Sequence, residues 1–113
     1  MKERRLAKIS TLLKHELSTL INNDFGEDYG LISVMDVIVS PDFESSKVYI
    51  SLFNDKATEK LLKALKVKIP FYQRFLADKL KMRSTPKLSF KTDFYQEKLD
   101  RVDELLKETT HGV

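Results

Sequence analysis

Residues 33–55 read SVMDVIVSPDFESSKVYISLFND. The first part is rich in β-branched residues and too short for a helix, Pro41 and Asp42 supply a turn, and Val48, Ile50 and Leu52 then alternate with Lys47, Tyr49 and Ser51. Strict alternation places one set on each side of a strand, so the stretch predicts a β-hairpin with one apolar face. That face needs cover, and the flanking sequence offers helices.

On the N-terminal side, Leu6, Ile9, Leu13, Leu17 and Leu20 recur at spacings of three and four. This predicts a helix from about residue 3 to 22, ended by Asn22, Asn23 and Asp24 and followed by a loop across Gly26–Gly30. On the C-terminal side, Asn54 or Asp55 can cap a helix in which Ala57, Leu61, Leu62, Ala64 and Leu65 share one arc. Pro70 predicts a break near Val67–Ile69 and a restart, because proline removes a helical hydrogen bond but suits a first turn. In the restarted helix Phe71, Tyr72, Phe75, Leu76 and Leu80 are expected to face the core, Arg74 and Lys81 to line up outside, and the stem of Lys79 to run along the core edge.

Next, KLSFK alternates with Leu88 and Phe90 inward, and Leu99, Val102, Leu105 and Leu106 predict a last helix. The order is helix, strand, strand, helix, kink, helix, strand, helix: an α+β two-layer domain with helices over one face of a three-stranded sheet, in type II KH topology. One domain is expected over residues 1–108, with a tail at 109–113.

Charge is unevenly spread. From Lys60 to Lys91 ten basic residues face one acid, Asp78, an excess of +9 in a chain whose formal net charge is +3. The first sixteen residues are basic again, with Lys2, Arg4, Arg5, Lys8 and Lys14. Clustered positive potential steers and holds phosphate, so a polyanionic partner is favoured over an evenly solvated surface. With no cysteine there is no disulfide framework, thiolate metal site or cysteine nucleophile. No segment approaches the roughly 20 apolar residues of a membrane span, and MKERRLAKIS lacks the apolar stretch of a secretory signal, so a cytoplasmic protein is expected.

Three separated segments resemble the ribosome-binding factor A family. SVMDVIVSPDFESSKVYISLFND looks like its paired-strand signature. RSTPKLSFKTD is similar to its following stretch, with Arg83, Pro86, Leu88, Phe90 and Asp93 at matching places, and LDRVDELLKE resembles its terminal helix. The likeness spans about residues 4 to 108. It implies a ribosome assembly factor that binds the precursor small subunit through its ribosomal RNA and assists late maturation, including processing of that RNA. The family lacks the Gly-x-x-Gly loop with which other KH domains clamp a nucleic-acid backbone, and glycine stands here only at 26, 30 and 112. It has instead a helix kink on a small residue followed two positions later by glycine. Lys68, Ile69 and Pro70 occupy that place, so proline enforces the kink and Lys68 adds a phosphate contact.

The residues assigned to ribosomal RNA are Arg4, Arg5, Lys8, Lys66, Lys68, Arg74, Lys81 and Arg83, which would neutralise phosphates and recognise folded shape. No cofactor, metal, membrane or small-molecule substrate is expected, and the protein is read as a monomer. Tyr72 could stack on a base or pack at the core edge. Tyr49 could belong to an exposed binding face or to cross-strand packing, and Asp36 could be a buried functional acid or, at less cost, lie on an exposed face or strand edge. His15 and His111 do not suggest a metal site or a catalytic pair, and the acids Glu97, Asp100, Asp103, Glu104 and Glu108 could hold magnesium but read better as the solvated face of the last helix. Two other readings stay open: a protein-interaction adaptor working through that acidic helix, and a generic nucleic-acid binder. An enzyme would need a convergence of nucleophile, base and oxyanion or metal site that the sequence does not offer.

Overall fold

The computed structural model describes residues 2–92. The predicted last helix, the acidic residues on it and His111 lie outside the described residues. Within them the order is α1 (Lys2–Tyr29), β1 (Ile32–Val39), β2 (Ser45–Leu52), a 3-10 turn (Asp55–Ala57), α2 (Thr58–Lys79) and β3 (Lys87–Lys91). The strands form one mixed sheet in the order β1-β2-β3, with β1 antiparallel and β3 parallel to the central β2. Leu13, Leu17 and Ile21 of α1 and Leu61, Leu65, Tyr72 and Leu76 of α2 close over Val37, Val48, Ile50 and Leu88 in a single core. This is the α+β, KH-like architecture expected from the order of elements.

A β-bulge keeps the hairpin's apolar face intact. Ile32 and Val34 pair with Leu52 and Ile50, and Val37 and Val39 pair with Val48 and Ser46, with the register shift between Val34 and Asp36. All four β1 residues are buried. Plain alternation would send Val37 and Val39 to the opposite face from Val34, so the extra residue, Met35, resets the pattern. Asp36 therefore sits at an irregularity in an edge strand, half-buried, where its Oδ1 accepts a 2.8 Å hydrogen bond from the Val37 N–H. Tyr49, opposite Asp36, is 1% exposed, so it packs and does not form an open binding face.

Three local expectations are corrected. α1 does not stop at residue 22 but runs to Tyr29. Asn22, read as a terminator, uses its side chain across space: Nδ2 donates to the Ile32 carbonyl at 2.8 Å and the Ile32 N–H donates back to Oδ1 at 2.9 Å. Gly26 is helical, and the chain turns at Gly30, whose φ of 76° and N–H bond to the Gly26 carbonyl make a left-handed cap.

α2 is one helical element from Thr58 to Lys79 with Pro70 inside it, where the sequence predicts a break and restart. Pro70 is exposed, as is Lys66, four residues earlier, whose carbonyl loses its N–H partner. On the solvent side of a helix that carbonyl can turn to water, which is where a proline disturbs the ladder least. The third correction is at the start of α2. Asn54 caps the preceding 3-10 turn, its Oδ1 accepting from the Lys56 N–H at 3.2 Å, while the α2 N-cap is Ala57 without a side-chain cap.

Candidate nucleic-acid interface

Two contacts set how α1 lies on α2. Lys79 Nζ is 3.3 Å from Glu16 Oε2, and the Tyr72 hydroxyl donates to Asp24 Oδ2 at 2.7 Å. Eight residues forward along α1 correspond to seven residues back along α2, so the helices run antiparallel. The first turns of α1 consequently project past the C-terminal end of α2, with Arg4 about 18 Å beyond Glu16 at 1.5 Å per residue. The same end of the molecule holds the β1–β2 turn, since the Arg5 guanidinium stands over the Phe43 ring, 6.0 Å from its centroid. It also holds the start of β3, where the Lys87 N–H donates to the Glu44 carbonyl at 2.8 Å.

This topology gathers Arg4, Arg5 and Lys8 from α1 and Lys81 and Arg83 from the segment after α2 at one end of the domain, all exposed. The α2 C-terminus closes in a Schellman turn: Met82 N–H bonds to the Ala77 carbonyl at 3.0 Å, and Lys81 takes the left-handed position at φ 53°. Lys81 is thus outside the helix and does not share a helical face with Arg74, contrary to the alignment expected from their spacing. Arg74 stands exposed on α2 itself.

The other two assigned lysines go elsewhere. Lys66 lies thirteen residues before Lys79, about 20 Å along the helix, and with Lys63 and Lys87 it lines a groove of about 420 Å³ between α2 and β3, floored by Leu62, Ile69, Leu88 and Phe90. Lys68 is half-buried on another side of α2, its Nζ 5.4 Å from the Phe71 ring centroid. The eight assigned cations therefore form an end cluster of five, with Lys66 in the α2–β3 groove and Lys68 and Arg74 to either side of the exposed Phe71 on α2. Among the described residues none of the eight is held in an ion pair.

Sequence reasoning missed four residues here. Lys63 and Lys87 join Lys66 in the groove, a grouping that needs the parallel β2–β3 pairing to be known. Phe71 and Phe75, placed in the core by helical periodicity, are 57% and 37% exposed. Tyr72, a candidate for base stacking, is fully buried. Burial first, and then the hydrogen bond and charge of Asp24, push its phenol well above the usual tyrosine range. Among the described residues no group of acids and histidines could hold a metal ion, and no helix is long and apolar enough to cross a membrane.

A mixed three-stranded sheet beneath two antiparallel helices, with exposed cations collected at one end, defines a KH-like domain of the α+β class. Residues 5–106 match the family model for ribosome-binding factor A. The ribosome-binding factor A of Clostridium botulinum (strain Loch Maree / Type A3) is 36% identical over 109 residues, 94% of this chain and 91% of its own. That of Gloeothece citriformis (strain PCC 7424) is 30% identical over 110 residues, 94% of this chain and 84% of its own. The crystal structure of ribosome-binding factor A from Thermus thermophilus aligns at TM-score 0.68 and 28% identity, covering 77% of this chain and 94% of that one. This chain belongs to the ribosome-binding factor A family.

Proposed function

We propose that this protein is a non-enzymatic ribosome assembly factor that binds the precursor small ribosomal subunit through its ribosomal RNA and assists late maturation, including processing of that RNA. Membership of a family named for ribosome binding supports the partner. The observation that carries the RNA mechanism is the end cluster: Arg4, Arg5, Lys8, Lys81 and Arg83 arrive from two distant segments, exposed and without ion pairs among the described residues. Cations left unneutralised are available to phosphates, and release of condensed counterions then drives binding. Because phosphate contacts position without reading sequence, recognition is of folded RNA shape. In this reading the protein acts as a cytoplasmic monomer, residues 1–108 form the binding domain, and Lys66, Lys68 and Arg74 extend the contact along α2.

Cosedimentation with isolated small subunits, large subunits and whole ribosomes tests the proposal. Selective binding to free small subunits is expected, falling on the order of 10³-fold between 50 and 200 mM salt if about six phosphates are engaged. Charge reversal at Arg4 and Lys81 is expected to abolish it. Equal binding to all three particles would reduce the protein to a generic polyanion binder. Binding indifferent to salt and to these reversals would favour a protein-interaction adaptor.

A further inference from the structure

Phe71 and Phe75 lie four residues apart on α2 and are 57% and 37% exposed, an unusual placement for two phenylalanines in so small a fold. Each has a cation beside its ring: Lys68 Nζ is 5.4 Å from the Phe71 centroid and Lys79 Nζ 5.9 Å from that of Phe75. Arg74 lies between them in sequence and lines with both rings a shallow groove of about 610 Å³, completed by Ala77, Asp78 and Met82. We propose that this aromatic and basic face of α2 is a stacking platform for unpaired bases of RNA.

The chemistry favours RNA over an apolar partner. Rings that alternate with cations match a nucleic-acid strand, in which flat apolar bases alternate with phosphates, and base–aromatic stacking tolerates any sequence because every base has a π-face. A greasy protein segment would have to bury Lys68 and Arg74 unpaired. The contrast within the molecule supports this: Leu31 and Phe53, 76% and 101% exposed, border a second groove whose described lining includes no cation. Asp78 orients the strand. It stands one turn beyond Arg74 in the same groove, so it repels phosphate from that end, while its carboxylate can accept a hydrogen bond from a base amino group. Lys79 is shared with Glu16, which leaves Lys68 and Arg74 as the phosphate-facing pair. The platform lies apart from the α2–β3 groove of Lys63, Lys66 and Lys87 and serves a different task from the end cluster: it selects single-stranded over duplex segments.

The inference rests on the RNA-binding reading above, and its test separates the two. Full-length Phe71→Trp protein is titrated with an unstructured oligouridylate of about 12 nucleotides and with an RNA duplex of equal charge. The expected result is indole emission that is water-exposed in the free protein and quenched by the single strand but not by the duplex. Phe71→Leu and Phe75→Leu should each weaken single-strand binding about fivefold or more, with duplex binding unchanged and Phe71→Tyr retaining affinity. Leucine preserves apolar area but not the ring, so single-strand binding that survives in the leucine variants overturns the platform. Indole emission that is buried in the free protein and becomes exposed on adding Val102→Asp with Leu105→Asp overturns it too, by showing the chain's own C-terminal segment on that face. Burial that follows protein concentration does the same in favour of a second copy. Leucine variants that bind single strands normally and still cosediment with small subunits sink the platform alone. A wild-type protein that binds neither RNA nor subunits sinks the underlying reading with it.

Discussion

The Tyr72 hydroxyl donates a 2.7 Å hydrogen bond to Asp24 Oδ2, joining the middle of α2 to the last turns of α1 across 48 residues of sequence. The tyrosine is fully buried and Asp24 is exposed. Water can still reach the carboxylate if the phenol is removed, so Tyr72→Phe should cost about 0.5–1.5 kcal/mol, while Tyr72→Ala, which also opens a cavity, should cost about 3–5 kcal/mol. The pH dependence has a definite sign. The folded state keeps the phenol protonated above its ordinary value of 10.0. The contribution is therefore intact below that pH and is lost above it, where only the unfolded chain releases the proton, at up to about 1.4 kcal/mol per pH unit. Urea unfolding of wild type and Tyr72→Phe from neutral to alkaline pH should show curves that converge as pH rises.

Asn22 satisfies both backbone groups of Ile32, a residue 1% exposed at the start of β1. Asn22→Ala leaves that N–H and carbonyl without their partner and should destabilise by about 1–3 kcal/mol. Asn22→Asp keeps the acceptor but sets a carboxylate against the Ile32 and Ser18 carbonyls, and is expected to be no better. Denaturant midpoints at constant m-value check both.

Lys81 holds a left-handed backbone at φ 53°, a position that glycine occupies without strain. Lys81→Gly should raise stability by about 1 kcal/mol while weakening binding to small subunits and lowering the salt slope by about one phosphate's share. A variant that is stabler yet binds less well would show that this turn retains a cation at the expense of backbone ease.

Pro70→Ala restores the N–H that the Lys66 carbonyl lacks, inside a helix that is already continuous. Stability should rise by about 1–3 kcal/mol, with greater amide-exchange protection in the turns around it. A loss of stability would mean that the local shape imposed by the proline is needed for packing.

Much of this fold could be read from periodicity. The alternation of Val48, Ile50 and Leu52 and the heptad-like run from Leu6 to Leu20 report local burial, and local burial is what makes a strand or a helix. The misreadings share one cause: a residue whose local meaning differs from its tertiary use. Asn22 looks like a helix terminator, but its amide clamps a strand ten residues on. Pro70 looks like a break, but on the solvent face of α2 it is tolerated. Phe71 and Phe75 fall in the apolar arc of α2, yet the arc that is buried is centred on Leu61, Leu65, Tyr72 and Leu76, and the two phenylalanines stay at its rim. The family resemblance was carried by segments that need no tertiary knowledge. The cations of the candidate interface were legible in the composition, but their division was not. Charge counting finds the cations; only the antiparallel seating of α1 on α2 puts Arg4 and Arg5 at one end and leaves Lys66 some distance away.

The mixed sheet also has an order of assembly built into it. β1 and β2 meet through a turn of a few residues, whereas β3 reaches β2 only after all of α2 has been made. The Ser46 hydroxyl accordingly bonds the Lys87 carbonyl from 41 residues away. Closing the larger loop costs more chain entropy before any contact repays it. The hairpin can therefore exist before the third strand docks, and the third strand can detach without dissolving the hairpin. Hydrogen exchange should find the Leu88 and Phe90 amides opening well before those of Val48 and Ile50. The lysine groove beneath α2, one wall of which is β3, would then be, among the described residues, the last surface to form during synthesis and the first to be lost under stress.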